Sequence, residues 1–156
     1  WLSSYSLYPQ ALDQWYRDNI SSDFPEVRTE ISTLLQVESE LQEIVQLVGS
    51  DALPIDQQLT LEVARMIREF FLQQNAFHDV DTFSDLDLQY HMARAILSFQ
   101  EEAKKAIAGG AQLEDVVNVP ARTDLMRGRF EKGYDKRIGE LVSEMGQQIA
   151  ASMEAN

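Results

Sequence analysis

Residues 49–81 read GSDALPIDQQLTLEVARMIREFFLQQNAFHDVD, and they decide how the rest of the chain is interpreted. The stretch opens with an acidic turn that contains Pro54. Apolar side chains then follow the spacing of a helix, at Leu59, Val63, Met66, Ile67, Phe70 and Phe71. Residues 75–83 lose this spacing and mix polar with aromatic side chains, which predicts a loop. The stretch therefore predicts a rigid helix with a turn at one end and an aromatic loop at the other.

A second long helix precedes this turn. Asp23 and Glu26 have the spacing of a capping box, and Pro25 stands in the first helical turn, where its missing N–H costs little. An apolar stripe follows, formed by Val27, Ile31, Leu34, Leu35, Leu41, Val45 and Val48. Gly49 is expected to end this helix. Because only about five residues connect the two helices, they are predicted to pack as an antiparallel hairpin.

Further helices are predicted on both sides of the hairpin. Leu12, Trp15 and Tyr16 can share one face of a short helix after Pro9. Ser84 and Asp87 form a second possible capping box before a helix that ends at 109–110 and has its stripe at Leu88, Met92, Ala95, Ile96 and Phe99. Short helices are expected around 113–117 and from residue 120, and a last one from residue 134 to about 153. The prediction is an all-α fold, a helical bundle built on a long antiparallel hairpin, with residues 1–156 as a single domain.

The composition is that of an ordinary globular protein. The 156 residues are 44% apolar and 25% charged and include no cysteine, which excludes disulfides and thiolate chemistry. No apolar run approaches the ~20 residues that a membrane-spanning helix needs. The chain starts at Trp1 without a methionine, a basic leader or a signal segment, so we expect it to be part of a longer protein.

Charge is distributed unevenly. The net charge is −13, and residues 1–83 hold 14 acidic side chains and only four arginines. Such a surface repels phosphate backbones and argues against a nucleic-acid partner. Residues 122–137 are the exception, with six basic and three acidic side chains. This segment is interpreted as a solvated helix face that balances the acidic half.

No catalytic or metal-binding motif is recognisable. The GxxxxGK[ST] phosphate loop does not occur, and neither HExxH nor ExxH accompanies the two histidines, His78 and His91. Carboxylates that are neighbours in sequence diverge around a helix, so we interpret two groups of them as solvated faces: Glu38, Glu40 and Glu43, and Glu101 and Glu102. The chain is therefore predicted to contain no catalytic residue and no metal site.

Two segments remain open to more than one interpretation. The turn at 50–56 fits an ordinary connection, but its apolar Leu53 and Ile55 suggest either a partner surface or a contact back onto the fold. The aromatic rings of Phe77 and Phe83 could anchor their loop to the core. They could instead form a slot for a planar ligand such as a nucleobase.

Four segments carry a resemblance to a known family: WLSSYSLY (1–8), LQEIVQLVG (41–49), SDALP (50–54) and LTLEVARMIREFFLQQNAFHDVD (59–81). They closely resemble the C-terminal helical domain of the catalytic A subunit of V-type and A-type rotary ATPases. The match covers residue 1 to about residue 105. It weakens through the basic tail, where a VPAR-like element at 119–122 still fits.

The resemblance implies a parent complex in which three A and three B subunits form an alternating ring around a rotating central stalk. This complex couples ATP hydrolysis or synthesis to the transport of protons or sodium ions, at the cytoplasmic face of the membrane to which it is attached. The domain that holds the phosphate loop, the ATP or ADP and its Mg²⁺ would precede residue 1. The present chain would then have no cofactor site of its own and no activity alone.

The resemblance also implies site residues, none of which is a catalyst. A lever loop that contacts the central stalk corresponds to Ser50, Asp51, Ala52, Leu53, Pro54, Ile55 and Asp56. One wall of the adenine pocket corresponds to Gln74, Asn75, Ala76, Phe77, Val80 and Phe83. Two other functions remain open at this point, a free-standing helical adaptor for protein partners and a carboxylate-bridged metal enzyme.

Overall fold

The computed structural model describes residues 9–76, 82–127 and 134–154. Over these ranges the chain forms seven α-helices and no strand, which confirms the all-α prediction. The helices are α1 (Pro9–Asn19), α2 (Phe24–Val48), α3 (Ile55–Ala76), α4 (Thr82–Ala108), α5 (Leu113–Val117), α6 (Pro120–Arg127) and α7 (Tyr134–Glu154), with a 3₁₀ turn at Ser50–Ala52 between α2 and α3. In these ranges no helix is both long enough and apolar enough to cross a membrane.

Helix α2 begins and ends where the sequence predicts, but its start is stabilised differently. Asp23 occupies the N-cap position, and Gly49 ends the helix with a φ of 85°. The Asp23 carboxylate makes no capping bond to the helix backbone. It accepts hydrogen bonds of 2.7 Å from the hydroxyls of Ser21 and of Tyr90 in α4. The predicted capping box is therefore wrong, because Asp23 bonds to another helix and Glu26 pairs with Arg17 of α1.

Helices α2 and α3 form the predicted antiparallel hairpin. Their facing stripes are buried from Val27 to Leu41 in α2 and from Leu59 to Phe70 in α3. Glu38 of α2 forms an ion pair with Arg68 of α3, each several turns away from the connecting turn. The prediction of a solvated Glu38 is wrong, since this side chain is only 4% exposed. Its position on the same face as the neighbouring stripe residues directs it towards α3.

The connection after α3 is shorter than the predicted loop at 75–83. Helix α3 continues through Ala76, and α4 already begins at Thr82, so only 77–81 lies outside the described residues. Ser84 is inside α4 and does not start it, which makes the second predicted capping box wrong. Apolar periodicity identifies only the buried part of a helix. The helix itself can extend beyond that part at either end, as α3 and α4 do here.

Helices α4 and α7 make the most extensive helix pairing in the described part of the chain. They run parallel: Tyr134 at the start of α7 contacts Asp87 near the start of α4, and Met153 at the end of α7 lies against Gly109, which follows α4. Helix α6 packs on α7, where the Ala121 N–H donates to the Gln148 side chain at 2.9 Å. Helices α2 to α7 share one buried apolar cluster.

Helix α1 is held at the start of α2 by aromatic contacts. The Tyr16 ring lies 4.8 Å from the Phe24 ring, and the guanidinium carbon of Arg28 is 4.8 Å from the Tyr16 centroid. Leu12 and Trp15, predicted to share a face with Tyr16, remain 39% and 42% exposed. Helix α1 therefore keeps an apolar surface that the rest of the described chain does not cover.

Candidate functional site at the two ends of helix α3

The turn that enters α3 is a short, well-bonded structure. Ser50, Asp51 and Ala52 form the 3₁₀ turn and are exposed. The Leu53 N–H donates to the Ser50 carbonyl at 3.1 Å, and the Gln58 side-chain amide donates to the Leu53 carbonyl at 2.9 Å. These bonds give the turn a fixed shape at the end of the hairpin.

Leu53 and Ile55, the two apolar residues of the turn, differ in their exposure to solvent. Leu53 is only 6% exposed, so it contacts the fold itself. Ile55 is 46% exposed, and Pro54 and Asp56 on either side of it are also exposed. Of the seven predicted lever-loop residues, Leu53 therefore anchors the turn and the other six are accessible to a partner.

The exposed apolar surface extends into α2, which sequence reasoning missed. Ile44, Leu47 and Val48 are 43%, 84% and 60% exposed, although Val48 belongs to the apolar stripe of this helix. No residue of α2 beyond Leu41 is buried. The sequence did contain an indication of this exposure. Residues 44, 45, 47 and 48 are all apolar, and around the helix they form an arc too wide to be buried against one neighbouring helix.

This end of the hairpin is acidic. No lysine, arginine or histidine occurs from residue 29 to residue 64. Glu40, Glu43, Asp51 and Asp56 are all exposed there. The turn therefore presents apolar side chains surrounded by carboxylates.

The other end of α3 leads towards the predicted adenine wall. Gln74, Asn75 and Ala76 form the last turn of α3, and Phe83 lies in the first turn of α4, although their side chains are not among those described. Phe77 and Val80 lie outside the described residues. The backbone thus brings α3 and α4 to this segment from both sides.

A network of aromatic and carboxylate groups lies one turn beyond Phe83. Asp87 accepts a hydrogen bond from the Tyr134 hydroxyl, and His91 Nε2 is 3.7 Å from Asp87 Oδ1. The His91 ring is 5.9 Å from that of Tyr134 and 5.4 Å from that of Tyr90. The network ties the start of α7 to the start of α4. Sequence reasoning missed it because the partners are far apart along the chain.

The same network reaches α2 through Tyr90 and Asp23. Burial alone would raise the pKa of Asp23, but hydrogen bonds from Ser21 and Tyr90 and the charge of Arg94 together hold that pKa below 3.8. Burial also raises the pKa of Tyr90 above 10.0. The ionised carboxylate and the neutral phenol are thus the favoured pair, and they fasten the start of α2 to α4.

Arg122 fastens the tail to the hairpin. The segment 122–137 was interpreted as a solvated face, but the Arg122 side chain is only 16% exposed. Its Nη2 lies 3.0 Å from Glu62 Oε2 in α3, its Nη1 donates to the Val117 carbonyl at 3.0 Å, and its guanidinium carbon is 5.4 Å from the Phe99 centroid. Burial lowers the pKa of Arg122, and the charge of Glu62 opposes this effect. The solvated interpretation is therefore wrong for Arg122, whereas Arg127, Lys136 and Arg137 are exposed.

A metal centre requires several convergent ligands, and a small-molecule site requires a sizeable cavity. Among the described residues, no group of three or more His, Asp or Glu side chains could hold a metal ion. A crevice between α2 and α4, lined by Phe24, Val27, Arg28, Tyr90 and their neighbours, has a free volume of about 30 Å³. That is about the volume of one water molecule and far below the ~300 Å³ of a small ligand pocket.

Comparison with known proteins gives the same family along most of the chain. Residues 13–117 match the family model of the C-terminal domain of V and A type ATP synthase. The A subunit of the A-type ATP synthase of Natronomonas pharaonis is 50% identical over 149 residues, which are 96% of this chain and 26% of that protein. The corresponding protein of Methanosarcina barkeri is 44% identical over 97% of this chain and 26% of its own length, and the V-type ATP synthase alpha chain 1 of Clostridium tetani is 45% identical over 96% and 25%.

These matches extend past residue 105, where the sequence analysis expected the resemblance to weaken. The chain spans about a quarter of the length of these relatives. The family model alone covers well over half of the chain, from within α1 to the end of α5, and so includes the hairpin of α2 and α3. The chain therefore belongs to the family of C-terminal domains of V and A type ATP synthases.

Proposed function

We propose that this chain transmits force as the C-terminal domain of the A subunit of a rotary ATP synthase. In this proposal residues 1–156 act as one domain, and the parent complex couples ATP hydrolysis or synthesis to the transport of protons or sodium ions at the cytoplasmic face of a membrane. The nucleotide and its Mg²⁺ are held mainly by a preceding domain, and neighbouring B subunits complete the ring. The chain alone does not hydrolyse ATP.

The observation that carries the proposal is the continuity of α3. This helix runs without interruption from Ile55 to Ala76, which is about 33 Å at 1.5 Å per residue. Residues 50–56 at one end are proposed to contact the central stalk, and residues 74–83 at the other to line the adenine. Its buried face is held by α2 and α4, so a displacement at one end moves the other end with it.

The stiffness of α3 provides the test. Arg65 and Glu69 are 66% and 44% exposed on its outer face, so both can be replaced without opening the core. Changing both to glycine should cost about 1 kcal/mol of helix stability per position relative to alanine and should make α3 less rigid. We expect the glycine pair to reduce ion transport per ATP in the parent complex, whereas the alanine pair, which loses the same side chains, keeps it. Equal coupling in the two variants would contradict transmission through α3.

The adenine wall requires a separate measurement. If the Phe77 ring stacks on adenine, Phe77→Ala in the parent complex should weaken nucleotide binding by about 1–3 kcal/mol. Phe77→Tyr, which keeps the ring, is the matched control and should bind normally. An unchanged affinity in a folded Phe77→Ala complex rules out the stacking role.

A further inference from the structure

The start of helix α4 is joined to the start of helix α7 through Asp87. The Tyr134 hydroxyl, on the first residue of α7, donates a hydrogen bond to the Asp87 carboxylate. His91 lies one turn further along α4, and its Nε2 is 3.7 Å from Asp87 Oδ1, which is longer than a hydrogen bond. The direct link between the two helices is therefore the bond from Tyr134.

Aromatic contacts fix the direction of the Tyr134 ring. The His91 ring lies 5.9 Å from it at an interplanar angle of 64°, and the Tyr90 ring lies 5.4 Å from the His91 ring at 68°. Both are edge-to-face arrangements of the kind that aromatic rings prefer. One turn after Tyr134, Ile138 is only 2% exposed, so α7 is already anchored in the core there. The phenol that bonds Asp87 is thus held by a packed helix.

This link lies next to the proposed adenine wall. Residue 83 precedes Asp87 by one turn of α4, which places the two positions on the same face of the helix. From residue 86 onward, the first buried side chain of α4 is Leu88. The end turns of helices open more easily than turns packed in the core. A bond from Asp87 to a second helix therefore restrains the direction in which α4 begins.

We infer that Tyr134 is a positioning residue for the adenine wall. It does not need to touch the nucleotide, because it acts by holding Asp87 and, through it, the first turn of α4, which includes Phe83. The inference rests on the proposed function and gives α7 a part in nucleotide binding. Groups that contact a ligand bind it tightly only where a supporting layer keeps them in place.

Two ligands that differ in the base test this role. ADP and pyrophosphate, each with Mg²⁺, are bound to the assembled catalytic complex that contains this chain. Tyr134→Phe keeps the ring and removes the hydroxyl, so it should raise the dissociation constant of ADP about three- to tenfold. The dissociation constant of pyrophosphate should not change, because the wall contacts only the base. A general loss of structure would weaken the binding of both ligands.

The matched control is Tyr90→Phe. It removes a similar phenol-to-carboxylate bond, of 2.7 Å to Asp23, but that bond joins α4 to α2 and lies further from residue 83. ADP should bind to this variant as to the unchanged protein. Asp87→Ala should weaken ADP binding at least as much as Tyr134→Phe. Combining the two should weaken it no further than Asp87→Ala alone, because both changes remove the same bond.

Three results would overturn the inference: unchanged ADP binding by the Tyr134→Phe complex, an equal loss for ADP and pyrophosphate, or the same effect from Tyr90→Phe. Phe83→Ala in the same assay distinguishes this failure from failure of the proposed wall. If Phe83→Ala weakens the binding of ADP alone while Tyr134→Phe does not, only the inference fails. If Phe83→Ala leaves ADP binding unchanged, the proposed wall at residue 83 fails and the inference fails with it.

Discussion

Replacing Arg122 by methionine should destabilise the chain by about 2 kcal/mol, although the residue lies in a segment whose composition indicates a solvated face. Methionine keeps much of the apolar stem and removes the guanidinium, so the change isolates the polar contacts. The two contacts at 3.0 Å, to Glu62 and to the Val117 carbonyl, would each contribute about 1.5–3 kcal/mol if fully favourable. The contact with the Phe99 ring adds about 0.5–1 kcal/mol.

Three features of the site reduce this gross value. Arg122 Nε is buried without a hydrogen-bond partner among the described residues, which costs about 1–3 kcal/mol in the unchanged protein. Glu62 is 29% exposed, so it regains water when Arg122 is removed, and Arg65 Nη1 is already 4.0 Å from it. The net loss should therefore lie below the ~3–5 kcal/mol observed when a fully buried ion pair is broken.

A double-mutant cycle isolates the ion pair. Urea unfolding followed by circular dichroism, on Arg122→Met, Glu62→Gln and the double variant, should give a coupling energy of about 1 kcal/mol. The control pair is Arg137 and Glu140 on α7, which lie 3.6 Å apart but are 52% and 50% exposed. That pair should couple by about 0.5 kcal/mol or less and lose its coupling in high salt. A coupling of Arg122 with Glu62 no larger than the control value would refute the reasoning.

Two further predictions concern the ends of α2. Because hydrogen bonds hold the folded-state pKa of Asp23 below its unfolded value, the stability from this carboxylate is complete above about pH 4 and is lost as the pH falls through the folded-state pKa. The difference in urea midpoint between the unchanged chain and Asp23→Asn should therefore shrink as the pH is lowered from about 5 to 3, and a difference independent of pH would contradict this. Gly49→Ala should destabilise by about 1–2 kcal/mol, since the φ of 85° is strained for alanine although no atom lies within 4 Å of the added carbon. The control is Gly139→Ala, which is equally unhindered but lies inside α7 and should stabilise the chain by about 0.5–1 kcal/mol. If both substitutions changed the free energy of unfolding in the same direction, backbone strain at Gly49 would be excluded as the cause.

The helices of the fold could be predicted from residue spacing because each depends on local information. The stripes of α2 and α3 and the short connection at Gly49 were enough to predict the hairpin, and the structure confirms it. Helices α5, α6 and α7 also begin close to the predicted residues. Capping was the exception. Asp23 accepts hydrogen bonds from Ser21 and from Tyr90 of α4 and makes none to the backbone of α2, and α4 already begins at Thr82, two residues before Ser84.

The candidate site was predictable only in part. The resemblance identified both ends of α3, and residues 50–56 are accessible as expected apart from Leu53. The width of the apolar arc at 44–48 indicated that part of it is exposed, but periodicity gives only the direction of a side chain and does not say where the neighbouring helix stops, so the burial of the stripe could not be predicted to end at Leu41. Glu38, assigned to a solvated face, is buried against α3, and its spacing from Leu34 and Leu41 indicated that face in the sequence.

By itself the sequence determined that this chain is helical, that α2 and α3 form a hairpin and that its turn is acidic. These properties follow from the spacing of residues within a few turns and from the sum of charges. Only the tertiary structure decided that α4 and α7 run parallel, that Arg122 of the basic tail closes onto Glu62 of α3, and that the end of α2 is left uncovered. Those outcomes depend on which distant surfaces meet, and burial in the shared core selects that arrangement from many that local spacing allows equally.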